Sequence, residues 1–130
     1  MIGIFVITHG DVGASIIDTV AHVLNKPLPA VRQLSVAAGD DPRQLLPVAR
    51  RLISEIDGGD GVVVLTDLYG ATPSNVAAML LQPGKVEGLA GVSVPMLLRA
   101  ITYRDRGLKV MLTKAVSGGR DGVMRLPVAA

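Results

Sequence analysis

Cysteine and tryptophan are absent from this chain, and histidine occurs only twice. Without cysteine there is no disulfide framework and no thiolate metal site. Two tyrosines and one phenylalanine leave few platforms for stacking bases. The basic residues Arg32, Arg43, Arg50, Arg51, Arg99, Arg104 and Arg106 are scattered among acids rather than gathered in a stripe. Nucleic acid is therefore not expected as a partner. The net charge is +2 although the pI is 9.3. Such residues read either as a modest basic rim for an acidic protein partner or as plain solvated surface. No run approaches the roughly eighteen apolar residues that span a bilayer. The apolar stretch Ile2–Ile7 has no basic residue before it and no small-residue cleavage site, so it does not read as a signal peptide. A cytoplasmic protein with no direct membrane insertion is the simplest expectation.

A chain of 130 residues with 49% hydrophobic and 18% charged residues is apolar enough to fold, and a single domain over 1–130 is expected. Its pattern alternates strand and helix. Ile2–Ile7 is a short, continuous apolar run, as expected of a strand covered on both faces. Ile16, Ile17, Val20, Val23 and Leu24 share a helical stripe that Asn25-Lys26-Pro27 stops. Val31–Val36 is a second strand. Asp41 and Pro42 give an N-cap and first turn to a second helix, which Pro47 should kink or start later. Gly61–Thr66 is the clearest buried strand, and Thr72-Pro73 opens a third helix ending near Gln82. Leu89–Val94 reads as a fourth strand and Pro95 to about Tyr103 as a fourth helix. A short helix over Leu108–Val116 and a last strand at Val123–Leu126 complete the reading.

Strands alternating with helices predict an α/β fold with an open, doubly wound, mostly parallel sheet. In such sheets the functional crevice lies where strand order reverses, beyond the strands' carboxyl ends. With the order 2-1-3-4, that point falls between the strands ending at Thr8-His9 and Thr66-Asp67. Topology thus joins an imidazole to a carboxylate from far along the chain. A carboxylate accepting Nδ1–H of His9 leaves Nε2 free as nucleophile and stabilises the charge that develops on the ring during attack on phosphorus. Backbone N–H groups after Gly10 and near Gly70-Ala71-Thr72, with the hydroxyls of Thr8, Thr66 and Thr72, are candidate phosphate donors.

Each feature also has a structural reading. A lone histidine is commonly a hydrogen-bonded core residue, Asp67 can cap a turn, and Thr72-Pro73 can be only a helix start. Gly10, Gly13 and Gly70 can simply permit tight turns. The coincidence of two strand ends favours function. His22, in mid-helix and off the apolar stripe, reads as solvated surface. One histidine and one carboxylate form an incomplete ligand set, so neither a metal nor another cofactor is expected. Gly10-Asp11-Val12-Gly13 lacks both the dinucleotide spacing and the Walker lysine.

The chain resembles the mannose-type enzyme IIA domains of the bacterial phosphoenolpyruvate-dependent sugar phosphotransferase system. The resemblance rests on Ile7-Thr8-His9-Gly10 and on Asp67-Leu68-Tyr69-Gly70-Ala71-Thr72-Pro73-Ser74-Asn75. Ala90–Leu97 and Gly119-Arg120-Asp121-Gly122-Val123 add to it. It implies that the phosphocarrier HPr phosphorylates His9 on Nε2 and that an enzyme IIB partner accepts the group. It also implies that Asp67 orients His9, while the 67–75 loop (Leu68, Tyr69, Gly70, Ala71 and Thr72 among it) and the turn at Pro95-Met96 wall the pocket. A homodimer exchanging an antiparallel C-terminal strand follows from the same resemblance. The family often carries two glycines where Gly70-Ala71 stand here, and an aromatic near Ser74. The sequence ends at Ala130 without the linker and IIB domain of some members. Alternatives are a regulatory domain gated by His9 phosphorylation, binding of a small phosphorylated ligand without chemistry, and the phosphoryl donor subunit of dihydroxyacetone kinase. In the last, serine usually follows the histidine, where Gly10 follows here.

Overall fold

The computed structural model describes residues 1–129. Four strands, β1 (Gly3–His9), β2 (Val31–Val36), β3 (Val62–Thr66) and β4 (Val86–Ala90), form one sheet. All neighbours pair in parallel, in the order β2-β1-β3-β4. Parallel strands need covered crossovers, and helices supply them on both faces. They are α1 (Val12–Leu24), α2 (Pro42–Ile56), α3 (Thr72–Leu80), α4 (Val94–Thr102) and α5 (Leu108–Asp121).

Strand alternation divides the core into two clusters. Phe5 and Ile7 of β1 with Val62 and Val64 of β3 pack beneath α2 and α3. Ile4, Val6, Val63 and Leu65 pack on the other face beneath α1, α4 and α5. Strands buried on both sides explain why Ile2–Ile7 and Val62–Leu65 are unbroken apolar runs in sequence. Arg104 closes the end of the sheet where the strands begin. It is 4% exposed and donates to the carbonyls of Ile2, Pro29 and Ala30.

Three expectations are corrected. The fourth strand lies at Val86–Ala90, not Leu89–Val94. Gly91 turns the chain at φ +87°, Val92 N–H donates to Thr66 O, and Ser93 caps α4 by accepting from Met96 N–H. The last helix runs past the expected end at Val116 to Asp121, through Gly118 and Gly119 and up to Gly122. Those glycines serve close packing: a Cβ at Gly118 would stand 2.7 Å from Arg99 Cβ, and one at Gly122 2.7 Å from Pro95 Cγ. Within the single chain, Val123–Leu126 carries no regular secondary structure and is exposed. Pro47 does not delay α2, which starts at Pro42 with Asp41 accepting from Arg43 N–H.

Candidate functional site

His9 is the last residue of β1, and Asp67 is the first beyond β3. Because Ile7 pairs with Thr66 across the two strands, the register carries Asp67 alongside Thr8 and His9. Asp67 Oδ2 lies 2.9 Å from His9 Nδ1 and 3.2 Å from the His9 backbone nitrogen, so one oxygen takes both. A carboxylate only accepts, so Nδ1 donates and the neutral ring is left with an unprotonated Nε2. Nε2 has no hydrogen-bond partner among the described residues, and the His9 side chain is 49% exposed against 16% for Asp67. The ring is held at one nitrogen and open to a partner at the other.

The ionisation of Asp67 follows from this geometry. Burial pushes its carboxyl up. The His9 side chain, the His9 backbone N–H, its own N–H and the imidazole charge together outweigh burial and hold it below the usual carboxylate range. Its second oxygen, Oδ1, is buried without a partner among the described residues, as is Thr66 Oγ1.

Two helices begin beside the pair without side-chain caps, α1 after Asp11 and α3 after Ala71. In contrast, α2 and α4 are capped by Asp41 and Ser93. Proline at the second position of α3 removes one orphan N–H, and the remaining first-turn donors stay available for an anion. The turns into both helices require glycine: Gly10 sits at φ +44° and Gly70 at φ +88°.

The expected site residues divide. Leu68 and Tyr69 are 59% and 85% exposed on the β3–α3 loop, and Gly70, Ala71 and Thr72 lead into α3. Thr8 turns away. Alternation sends its side chain to the α1 face, where Oγ1 is buried and accepts Gly13 N–H at 2.7 Å. Thr66 is buried behind the loop, on the α3 face. Met96 is a core residue packed against α5, and Pro95 lies against Gly118 and Gly122. Among the described residues, no three histidine or acidic groups gather as metal ligands.

The sign of the rim is a feature that sequence reading missed. The loops leaving the four strands carry Asp11, Asp40, Asp41 and Asp67, with no lysine or arginine. Arg43, at the start of α2, is engaged with Asp41 at 3.2 Å. The mouth around His9 is acidic and fringed by exposed Val12, Leu68 and Tyr69, so it is not a basic rim. The signal was present in sequence, as an aspartate after each of the first three strands.

Sheet order, switch-point position and a half-exposed imidazole tied at Nδ1 define a doubly wound α/β domain with one ring nitrogen of His9 left without a hydrogen-bond partner among the described residues. The chain belongs to the family described as the fructose IIA component of the phosphotransferase system, whose family model matches residues 3–115. It is similar to the mannose-specific EIIAB component of that system in Escherichia coli, 27% identical over 128 residues. That match covers 96% of this chain and 39% of the relative, so the chain spans well under half of the relative's length. Among solved structures, the mannose/sorbose-specific IIA subunit from Enterococcus faecalis superposes with a TM-score of 0.86 at 20% identity, covering 99% of this chain and 97% of that one. The IIA protein associated with the fucose utilization operon of Streptococcus pneumoniae gives 0.81 at 25% identity, covering 95% and 91%. Membership of this family agrees with the mannose-type resemblance read from the motifs. No helix among the described residues is long and apolar enough to cross a membrane.

Proposed function

We propose that His9 Nε2 accepts a phosphoryl group from phosphorylated HPr and passes it to an enzyme IIB partner in the cytoplasm. The observation that carries the reading is the 2.9 Å contact between Nδ1 and Asp67. In the first step the Nε2 lone pair attacks the phosphorus held on the donor histidine. The donor P–N bond breaks, its electron pair returns to the donor ring, and a new P–Nε2 bond forms. Positive charge grows on the His9 ring as this happens, and the Asp67 carboxylate neutralises it through Nδ1–H. First-turn N–H groups of α3, with the Thr72 hydroxyl, orient the phosphoryl oxygens. Transfer to IIB reverses these steps with a nucleophile of the acceptor.

The acidic, apolar-fringed mouth supports partners that present basic and apolar groups, through steering at long range and desolvation at contact. Uncovered apolar side chains on the tail, with Val123 84%, Leu126 90% and Val128 97% exposed, support a homodimer. The test is incubation with enzyme I, HPr and labelled phosphoenolpyruvate. Wild type is expected to gain one acid-labile phosphate, with nitrogen NMR placing it on Nε2. Equal labelling of His9→Ala, or phosphate on Nδ1, overturns the reading.

A further inference from the structure

Thr8 stands next to the nucleophile in sequence, yet its side chain is fully buried on the α1 face of β1. Its hydroxyl is used twice there. It accepts the Gly13 N–H at 2.7 Å, and the His9 carbonyl at 3.4 Å is the partner for its own proton. The first of these bonds acts as a helix cap. Asp11 occupies the capping position of α1, but its backbone stands at φ −89° and ψ 7° and its side chain makes no capping bond. An aspartate caps from extended backbone, as Asp41 does before α2. The orphan N–H of the second helical residue, which a cap would satisfy, is taken by the strand instead.

This bond closes an arc that carries His9. Between Thr8 and Gly13 the chain runs through His9, Gly10, Asp11 and Val12, turning at Gly10 with φ +44°. Two further bonds hold the start of the arc. His9 N–H donates to Asp67 Oδ2 at 3.2 Å, and Gly10 N–H to Val36 O at 3.0 Å. The far end is joined to β1 by the Thr8 hydroxyl. The join is tight, since a Cβ on Gly13 would stand 3.0 Å from both Thr8 Oγ1 and Val6 Cγ1. Without the hydroxyl the Gly13 N–H is buried and unpaired, which is costly, and the first turn of α1 relieves the cost by moving toward water. His9 moves with it. One Asp67 oxygen takes both the His9 backbone N–H and Nδ1, so movement of the His9 backbone disturbs the tether of the ring.

We infer that Thr8 is a positioning residue for phosphoryl transfer. By capping α1 from the strand, its hydroxyl holds the His9 backbone where Asp67 Oδ2 engages Nδ1 and leaves Nε2 free. This inference rests on the phosphocarrier reading above. The role differs from the direct phosphate contact expected of Thr8, which its burial prevents. Displacement of a reacting group by about 1 Å costs on the order of a hundredfold in rate. A bond behind the strand can therefore govern the chemistry without touching it.

Four variants test this. Thr8→Val keeps the shape and removes the hydroxyl, Thr8→Ser keeps the hydroxyl, and Gly13→Ala strains the same bond from the helix side. Val20→Ala, a cavity in the core further along α1, controls for lost stability. Below its melting transition, Thr8→Val should take phosphate from saturating phosphorylated HPr roughly ten- to a hundredfold more slowly than wild type, with Gly13→Ala slowed as well and Thr8→Ser within about threefold. Val20→Ala should match wild type. Nitrogen NMR of the unphosphorylated chains gives a readout that lost stability does not move. His9 should be held in the Nδ1–H form in wild type and Thr8→Ser, and lose that single form in Thr8→Val. A rate within about twofold of wild type in Thr8→Val, or in Gly13→Ala should Thr8→Val not fold, overturns the inference. An unchanged ring spectrum in Thr8→Val, or Val20→Ala slowed as much as Thr8→Val, also overturns it. Each of these outcomes leaves the phosphocarrier reading standing. Absence of phosphate on wild type overturns that reading, and the role of Thr8 in transfer with it.

Discussion

Asp67→Asn separates the charge of the carboxylate from its shape. Asparagine keeps an acceptor oxygen of the same size at the position that takes His9 Nδ1 at 2.9 Å and His9 N at 3.2 Å. Sheet register and loop conformation therefore stay in place, and what disappears is the negative charge facing a ring that becomes cationic in the transition state. Unit charges about 4 Å apart interact by about 1 kcal/mol in water and about 4 kcal/mol at the effective dielectric of a protein surface. Asp67 is 16% exposed and His9 49%, so the site lies between these limits, at about 2 kcal/mol. With 1.36 kcal/mol per decade, transfer from phosphorylated HPr should slow by roughly thirtyfold. Rapid-quench measurement of the first turnover checks this, alongside a melt that should match wild type. A rate within about twofold of wild type, with an unchanged melt, removes the electrostatic role assigned to Asp67.

Protonation gives a related expectation. The Asp67 carboxyl titrates lower in the folded chain than when unfolded, so its stabilising contribution is complete above the unfolded value of roughly 4 and is lost as pH falls through the folded value. Denaturant titrations between the unfolded and the folded value should show a pH-dependent component in wild type that Asp67→Asn lacks; identical slopes count against it. Arg104→Leu removes four hydrogen bonds to the carbonyls of Ile2, Pro29 and Ala30. It should cost about 2–4 kcal/mol in urea unfolding and leave His9 phosphorylation below the transition unchanged; a loss under about 1 kcal/mol contradicts the clamp. Gly13→Ala gains about 1 kcal/mol of helix propensity, but its Cβ would meet Thr8 Oγ1 and Val6 Cγ1, each at 3.0 Å. Overpacking of a buried contact costs about 1–3 kcal/mol, so net destabilisation is expected, and a raised melting temperature refutes it.

Much of the fold was legible locally. Strands covered on both faces must be continuously apolar, which made Ile4–Ile7 and Val62–Leu65 plain. Asp41 followed by Pro42 marks a helix start through capping chemistry within a few residues. The His9–Asp67 pair was legible as well, because alternating strands and helices restrict sheet order to few choices, and order alone decides which strand ends meet.

Other features were not local properties. Leu89–Val94 is apolar enough for a strand, but the positive φ of Gly91 and the bond from Val92 N–H to Thr66 O break it after Ala90. Nothing local carries the last helix past Val116, because the use of Gly118 and Gly122, contact with Arg99 and Pro95, lies on another helix. Thr8 and Met96 had the right position in sequence and the wrong direction in space, since the parity of a strand and the face of a helix are fixed by what packs beneath them. The sequence by itself thus determined the alternation, the Asp41 cap and, through the strand order that the alternation allows, the pairing of His9 with Asp67. Tertiary structure alone decided which hydroxyls face the site and how far the last helix runs. Those depend on contacts between residues far apart in the chain.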